Sequence, residues 1–289
     1  MRGAGMPLVT TDEMLQKAYE GSYAVGAFNV ENLEFVQAVI NAAEMTNSPV
    51  IIQATPRTLQ SVGLDYLHAI VSVAASKSHV PVALHLDHGD SFKLCMRAVR
   101  AGFSSVMIDG SRLPLNENIS LTKEVCTAAQ AAGVPVEAEL GRVGGKATDT
   151  ASEEINPYTD TNEAYEFVLQ TKCSSLAIGV GTAHGVYVEE PHIAQDIVCS
   201  VREAVDIPLV LHGASGVPSS QIKKAIKNGI CKVNFATELR QAYLSAFLDY
   251  MNLHPSCIDP KKPAACGIET ISSVVSAHME ELGCAGKAF

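Results

Sequence analysis

A chain of 289 residues, 47% of them apolar, can bury a large core, and its length is ordinary for one α/β barrel of roughly 250 residues. The formal net charge of −10 argues against a nucleic-acid partner, whose expected footprint is a basic face. It does not exclude an anionic small molecule, because a bound metal and helix N-termini can invert the local field.

Thr10 followed three residues later by Glu13 predicts a capping box for a first helix. Eight β-like runs follow: "YAVGAFNV" (23–30), "PVIIQA" (49–54), "VPVALHLDH" (80–88), "SSVMID" (104–109), "VPVEAEL" (134–140), "SLAIGVG" (175–181), "IPLVLHG" (207–213) and "CKVNFA" (231–236). They are mostly continuous rather than alternating, the pattern of parallel strands covered on both faces. Helical patterns separate most of them, such as "NLEFVQAVINAAEMTNS", "SFKLCMRAVRAGF" and "SSQIKKAIKNGI", with Ser, Asn and Gly as punctuation. Eight βα units with no composition break predict an α/β fold, a single (β/α)8 TIM barrel over residues 1–289 with a C-terminal helical extension. A doubly wound open sheet would need a glycine-rich nucleotide loop after its first strand, and "FNVENLEF" supplies none. Two stretches exceed a minimal barrel: a polar insert at about 141–165, read as a mobile loop, and a tail at about 250–289 with a proline-rich elbow.

The eight cysteines are scattered without a C-x-x-C pair, which fits buried thiols in a reducing, cytoplasmic setting better than a disulfide framework. No apolar run approaches about 18 residues, so no membrane span is expected. "MRGAGMPLVTT" lacks the apolar segment of a secretory signal.

Strand C-terminal ends face the mouth of such a barrel. Those ends carry Asn29, Asp87 with His88, Asp109, Glu139, His184, His212 and Asn234. The three histidines are each followed by glycine, in "LDHG", "TAHG" and "LHGASG", which lets the backbone turn away and leaves the imidazole facing the mouth. Three neutral imidazoles leave coordination positions open on Zn²⁺, the arrangement of a catalytic rather than a structural zinc site. Asp109 and Glu139 are candidates either to fix a ligand's tautomer or to ligate an alternative metal position. His85 lies deeper on the same face as Asp87 and reads as a buried partner, not a ligand. His68, His79, His192 and His254 read as surface residues, and His278 as structural.

An open Lewis acid can polarise a carbonyl, and Asp87 beside it can move a hydroxyl proton. Gly213, Ala214 and Ser215 resemble an anion nest, and Asn234 and Thr237 extend it at a helix start. These turns follow strands seven and eight, where barrels usually bind phosphate. The residues thus point to a zinc enzyme acting on a phosphorylated carbonyl compound.

The series "GAFNV", "LHLDHG", "SSVMIDGS", "VEAELGRVGG", "GTAHGVY", "LHGASG" and "VNFATEL", in this order over nearly the whole chain, resembles class II, zinc-dependent ketose-bisphosphate aldolases. It is most similar to the tagatose-bisphosphate branch, toward which Ala236 leans. The resemblance implies reversible cleavage of a ketose 1,6-bisphosphate to dihydroxyacetone phosphate and an aldehyde, usually glyceraldehyde 3-phosphate, through a zinc-stabilised enediolate. It implies His88, His184 and His212 as zinc ligands, with Asp109 and Glu139 matching a second metal position. Asp87 becomes the acid/base on the C4 hydroxyl. Asn29 and Asn234 contact substrate or enediolate oxygens, and Gly185, Gly213, Ser215, Asn234 and Thr237 bind the phosphate, often beside a monovalent cation, Na⁺ or K⁺. Homodimers or homotetramers are usual in the family.

Four positions depart from the family pattern. After "VGG" the family carries an acidic residue on the mobile loop, whereas Lys146 and Ala147 stand here, with Asp149, Glu153 and Glu154 nearby. Val188 replaces a lysine near phosphate, and "DPKKPAACG" stands where relatives often carry an arginine that binds the distal phosphate. Arg57 replaces a small residue; it reads either as a solvated arginine or as the partner of a carboxylate where the substrate differs, as a longer ketose 1-phosphate or a keto sugar acid phosphate built on a different aldehyde. Two other classes compete. A zinc barrel hydrolase would want an H-x-H pair on the first strand and aspartate on the eighth, where Asn29 and Asn234 stand. A non-catalytic partner subunit would have no use for a wet polar cluster.

Overall fold

The computed structural model describes residues 8–141, 143–144 and 157–289. Among them eight strands close into a parallel barrel in sequence order: β1 (Val25–Asn29), β2 (Val50–Ala54), β3 (Val82–Gly89), β4 (Ser105–Ile108), β5 (Val136–Leu140), β6 (Ser175–Ile178), β7 (Leu209–Leu211) and β8 (Ile230–Phe235). Each predicted run overlaps its strand, with β3 reaching one residue further, to Gly89, and β8 starting one earlier, at Ile230. The strands other than β8 are shorter than their runs.

The outward strand faces are apolar and covered by helices. Phe28 and Phe235 stack at 5.6 Å outside β1 and β8, and both are fully buried. The helices α2 (Leu33–Thr46), α5 (Phe92–Ala101) and α7 (Thr161–Thr171) begin at side-chain caps: Asn32, Ser91 and Asp160 each accept from a first-turn N–H. α2 and α5 end at residues in the left-handed region, Asn47 and Gly102, as their Asn and Gly signals predict. The Thr10–Glu13 capping box does not form. Thr10 occupies the N-cap of α1 (Thr11–Gly21) without a side-chain bond, and the Glu13 carboxylate pairs with Lys17 at 2.9 Å, one turn on.

The inward faces differ from the apolar expectation. Gln53, His85, Ser105, Glu137 and Lys232 are all buried inside the barrel, and Gln53, His85 and Ser105 stand in register across β2, β3 and β4. α1 lies against β1 and β8, and its Thr11 hydroxyl donates to Ser105 Oγ at 3.0 Å.

The expected tail holds the last residues of one helix and, after the elbow, one further helix, as its single helical pattern predicts. α10 (Thr237–Leu253) follows β8, and α11 (Lys261–Glu281) packs on α2, α10 and the outside of β1. Of the insert expected at about 141–165, residues 161–165 are already α7, while Lys146, Ala147, Asp149, Glu153 and Glu154 lie outside the described residues.

Candidate metal and active site

The ends of β3 and β7 and the loop after β6 bring the three predicted histidines together; His184 lies in that loop, six residues beyond Ile178, and not at the strand end expected for it. One ring nitrogen from each of His88, His184 and His212 lies within 4.8 Å of the others. The ring centroids are 4.9 Å apart for His88–His184, 4.8 Å for His88–His212 and 6.0 Å for His184–His212. Donor atoms of His88, Asp109 and Glu139 form a second such group, sharing His88 with the first.

Two of the rings have one nitrogen committed elsewhere. His88 Nδ1 lies 2.9 Å from Asp109 Oδ2, and His212 Nε2 lies 2.8 Å from Glu137 Oε1. The remaining nitrogens, His88 Nε2 and His212 Nδ1, are buried without a hydrogen-bond partner, as is Glu139 Oε2. Buried polar atoms normally find partners. Nitrogen donors left bare on facing rings are the arrangement a zinc-sized cation requires, and the carboxylates behind them are what orients such ligands. The residues present fit the metal.

Asp87 and His88 are consecutive, so strand alternation would send them to opposite faces. The β3–β4 register shifts between Leu86 and Gly89, and His88 takes φ +50° in the left-handed region. This irregularity turns both side chains to the cleft. Gly89 therefore needs no positive φ; it is required for space, because a Cβ there would meet the Met107 carbonyl oxygen at 2.4 Å. Gly185 and Gly213 do adopt positive φ, +106° and +67°.

Asp87 is held on both oxygens: Asn29 Nδ2 donates to Oδ2 at 2.7 Å and Asn234 Nδ2 to Oδ1 at 3.3 Å. Gln53 in turn donates to Asn29 Oδ1 at 2.8 Å, fixing the amide's orientation. Burial pushes the Asp87 carboxyl up, but His88, His212, Lys232 and the Asn29 hydrogen bond outweigh it and hold it at about 2. Burial lowers His212, yet the Glu137 hydrogen bond and the charges of Glu137 and of Glu139, whose Oε2 stands 3.3 Å from Nδ1, lift it to about 10. His85 goes the other way, to about 3, through burial and the Lys232 charge. It hydrogen-bonds Ser105 Oγ at 2.8 Å, as expected of a buried partner.

Above these groups opens a cleft of about 530 Å³, lined among others by Asn29, Arg57, Asp87, Gly185, Ser215 and Arg240. Gly213, Asn234, Ala236 and Thr237 also border it, and Thr237 begins α10, whose first N–H groups face an approaching anion. Ala214 does not border it: its side chain is buried in the core. Val188 is fully exposed.

Four site residues escaped sequence reading. Glu137 lies two before Glu139 in "VEAEL" and Lys232 two before Asn234 in "CKVNFA", so the same alternation that selects the mouth residues selects them one layer deeper. Tyr187 joins two loops: its hydroxyl accepts from Ala183 N and donates to the Gly213 carbonyl, both at 2.7 Å. Arg240 donates from Nε to Glu31 at 2.6 Å on the cleft wall. Neither of these two has a local sequence signal.

Residues 9–287 match the family model of class-II fructose-bisphosphate aldolases. The chain belongs to this family. Among solved structures it is similar to the YdjI aldolase of Escherichia coli K12, with 34% identity and a TM-score of 0.87 over 98% of this chain and 100% of that one. A Coccidioides immitis protein with a provisional assignment as a fructose-1,6-biphosphate aldolase shares 30% identity, with a TM-score of 0.86 over 95% and 96% of the two chains. The fructose-bisphosphate aldolase of Campylobacter jejuni shares the fold, at 24% identity and a TM-score of 0.83 over 99% and 98%.

Proposed function

We propose that this aldolase-family chain is a zinc-dependent lyase that reversibly cleaves a ketose 1,6-bisphosphate of tagatose or fructose type to dihydroxyacetone phosphate and glyceraldehyde 3-phosphate. The observation that carries the reading is the convergence of three imidazoles, two of them with a buried nitrogen in no hydrogen bond, beside a carboxylate clamped by two amides. His88, His184 and His212 would hold the metal, with Asp109 and Glu139 beside His88 as the alternative donors. When bound, zinc supplies a Lewis acid that polarises the substrate carbonyl and offsets the negative charge that develops on cleavage.

The protein's own groups supply the remainder. Asp87, ionised at neutral pH, takes the proton of the C4 hydroxyl as the carbon–carbon bond breaks and returns it in condensation. Asn29 and Asn234 keep that carboxylate in one orientation and present polar atoms to substrate oxygens. Gly185, Gly213, Ser215 and Thr237, with the N-terminus of α10, cradle the phosphate of the dihydroxyacetone half, a site suited to a monovalent cation alongside; Ala214 contributes backbone only. Residues 1–289 act as one domain in a cytoplasmic homodimer or homotetramer. Among the described residues no helix is long and apolar enough to cross a membrane.

One observation favours a second reading of the aldehyde half. Arg57 borders the cleft, is exposed and has no ion-pair partner among the described residues. A free guanidinium there suits an aldehyde ending in a carboxylate as well as one ending in phosphate. The test is condensation of dihydroxyacetone phosphate with a panel of phosphorylated, acidic and neutral aldehydes, with the reverse cleavage of tagatose and fructose bisphosphates. Turnover of a bisphosphate supports the main reading, turnover confined to acidic aldehydes supports the second, and no turnover with the metal-loaded enzyme rejects both.

A further inference from the structure

Beneath the cleft, the barrel interior holds a run of buried polar groups that the proposed proton transfer does not use. Lys232 Nζ lies 2.7 Å from Glu137 Oε2, while Glu137 Oε1 takes His212 Nε2 at 2.8 Å. His85 Nε2 stands 3.6 Å from the same carboxylate, and its Nδ1 reaches Ser105 and through it Thr11 on α1. All of these side chains are at least nine-tenths buried. A buried ion pair is poor stabilisation, since apolar residues of similar volume often serve as well or better. Its geometry has a sharper consequence. With Nε2 engaged by Glu137, His212 can offer only Nδ1 to the cleft, and that atom faces Glu139 Oε2 at 3.3 Å without a hydrogen bond.

We propose that Glu137 and Lys232 are positioning residues for the metal: Lys232 pins the Glu137 carboxylate, and Glu137 fixes the ring orientation of His212 and raises the basicity of its free nitrogen. The pair thereby sets metal affinity from one layer below the cleft without touching substrate. This inference rests on the zinc reading above. Orienting carboxylates behind a ligating histidine are worth roughly 10–100-fold in metal affinity. Lys232 adds a function to that carboxylate, because without its ammonium a glutamate buried among imidazoles would be free to turn toward His85.

The test compares Zn²⁺ affinity, by competition with a chromogenic chelator, for the wild-type protein and for Glu137→Gln with Lys232→Met together. The double change removes both charges at nearly constant volume, so no lone buried charge is left to unfold the barrel. Zinc binding weakened roughly tenfold or more, with an unaltered metal-free melting temperature, supports the proposal; affinity within twofold of wild type overturns it. Wild-type protein that binds no zinc overturns the metal reading and this inference together, which separates the two failures. Imidazole ¹⁵N spectra of zinc-loaded wild-type protein give an independent readout that needs no variant: a protonated, hydrogen-bonded His212 Nε2 supports the proposal, and metal ligation through Nε2 overturns it.

Discussion

Asn29 Nδ2 donates to Asp87 Oδ2 at 2.7 Å, while its own carbonyl oxygen is tied to Gln53 at 2.8 Å. The amide cannot flip without losing both bonds, so the carboxylate is held in one orientation beside the three imidazoles. Replacing Asp87 by Asn keeps the shape and removes the base. Cleavage should fall roughly 10²–10⁴-fold, with zinc content and melting temperature close to wild type. Steady-state kinetics alongside metal analysis check this; retention of most of the activity would show that another group moves the proton.

Gly213 sits at φ +67°, with an added Cβ 2.5 Å from the Ala183 carbonyl oxygen. Gly213→Ala must therefore distort the turn that faces the phosphate cradle and the Tyr187 hydroxyl that accepts from Ala183 and donates to Gly213. The strain should cost about 1–3 kcal/mol. Denaturant unfolding should show that loss, and the KM for dihydroxyacetone phosphate in condensation should rise more than kcat falls. An unchanged KM would place the phosphate elsewhere.

His278 on α11 bridges Glu238 of α10 at 2.9 Å and Glu281 at 3.0 Å, stacked on Phe235. Burial lowers its basicity, but the two carboxylates outweigh this and lift it from 6.5 to about 9. The folded protein thus binds this proton more tightly than the unfolded chain does. The resulting stability is fully present below about pH 6.5 and is lost as pH rises through about 9. Its ceiling is about 3 kcal/mol. Unfolding free energies at pH 6 and pH 9.5 should differ less in His278→Gln than in wild type; equal differences would remove this site as their source.

Arg57→Gly restores a small residue on the cleft wall. Condensation with anionic aldehydes should weaken roughly tenfold or more in kcat/KM, and neutral aldehydes should be little affected. Equal effects on both would make Arg57 a solvated surface residue.

The barrel was legible because its strands are apolar on the helix-covered face and carry enough apolar residues inward to read as continuous runs. The three clustered histidines were legible because each stands just before a glycine at or beyond the C-terminal end of a strand, although His184 lies six residues past β6. Two features were not. Alternation could not show that Asp87 and His88 both face the cleft, since that depends on a bulge and a left-handed residue set by the pairing of β3 with β4. The interior network was hidden because Gln53, Glu137 and Lys232 stand singly in three distant runs and meet only when the barrel closes. The His-Gly rule itself held for a different reason at Gly89, where close approach to the Met107 carbonyl rather than a turn requires glycine.

The central claim is that His88, His184 and His212 gather a zinc ion at which a ketose phosphate is split with help from Asp87. The most direct test follows release of triose phosphate from tagatose and fructose bisphosphates before chelation, after it, and after zinc is returned. The account predicts cleavage that disappears on chelation and returns with about one zinc per chain. Cleavage at full rate by thoroughly metal-free protein would contradict it.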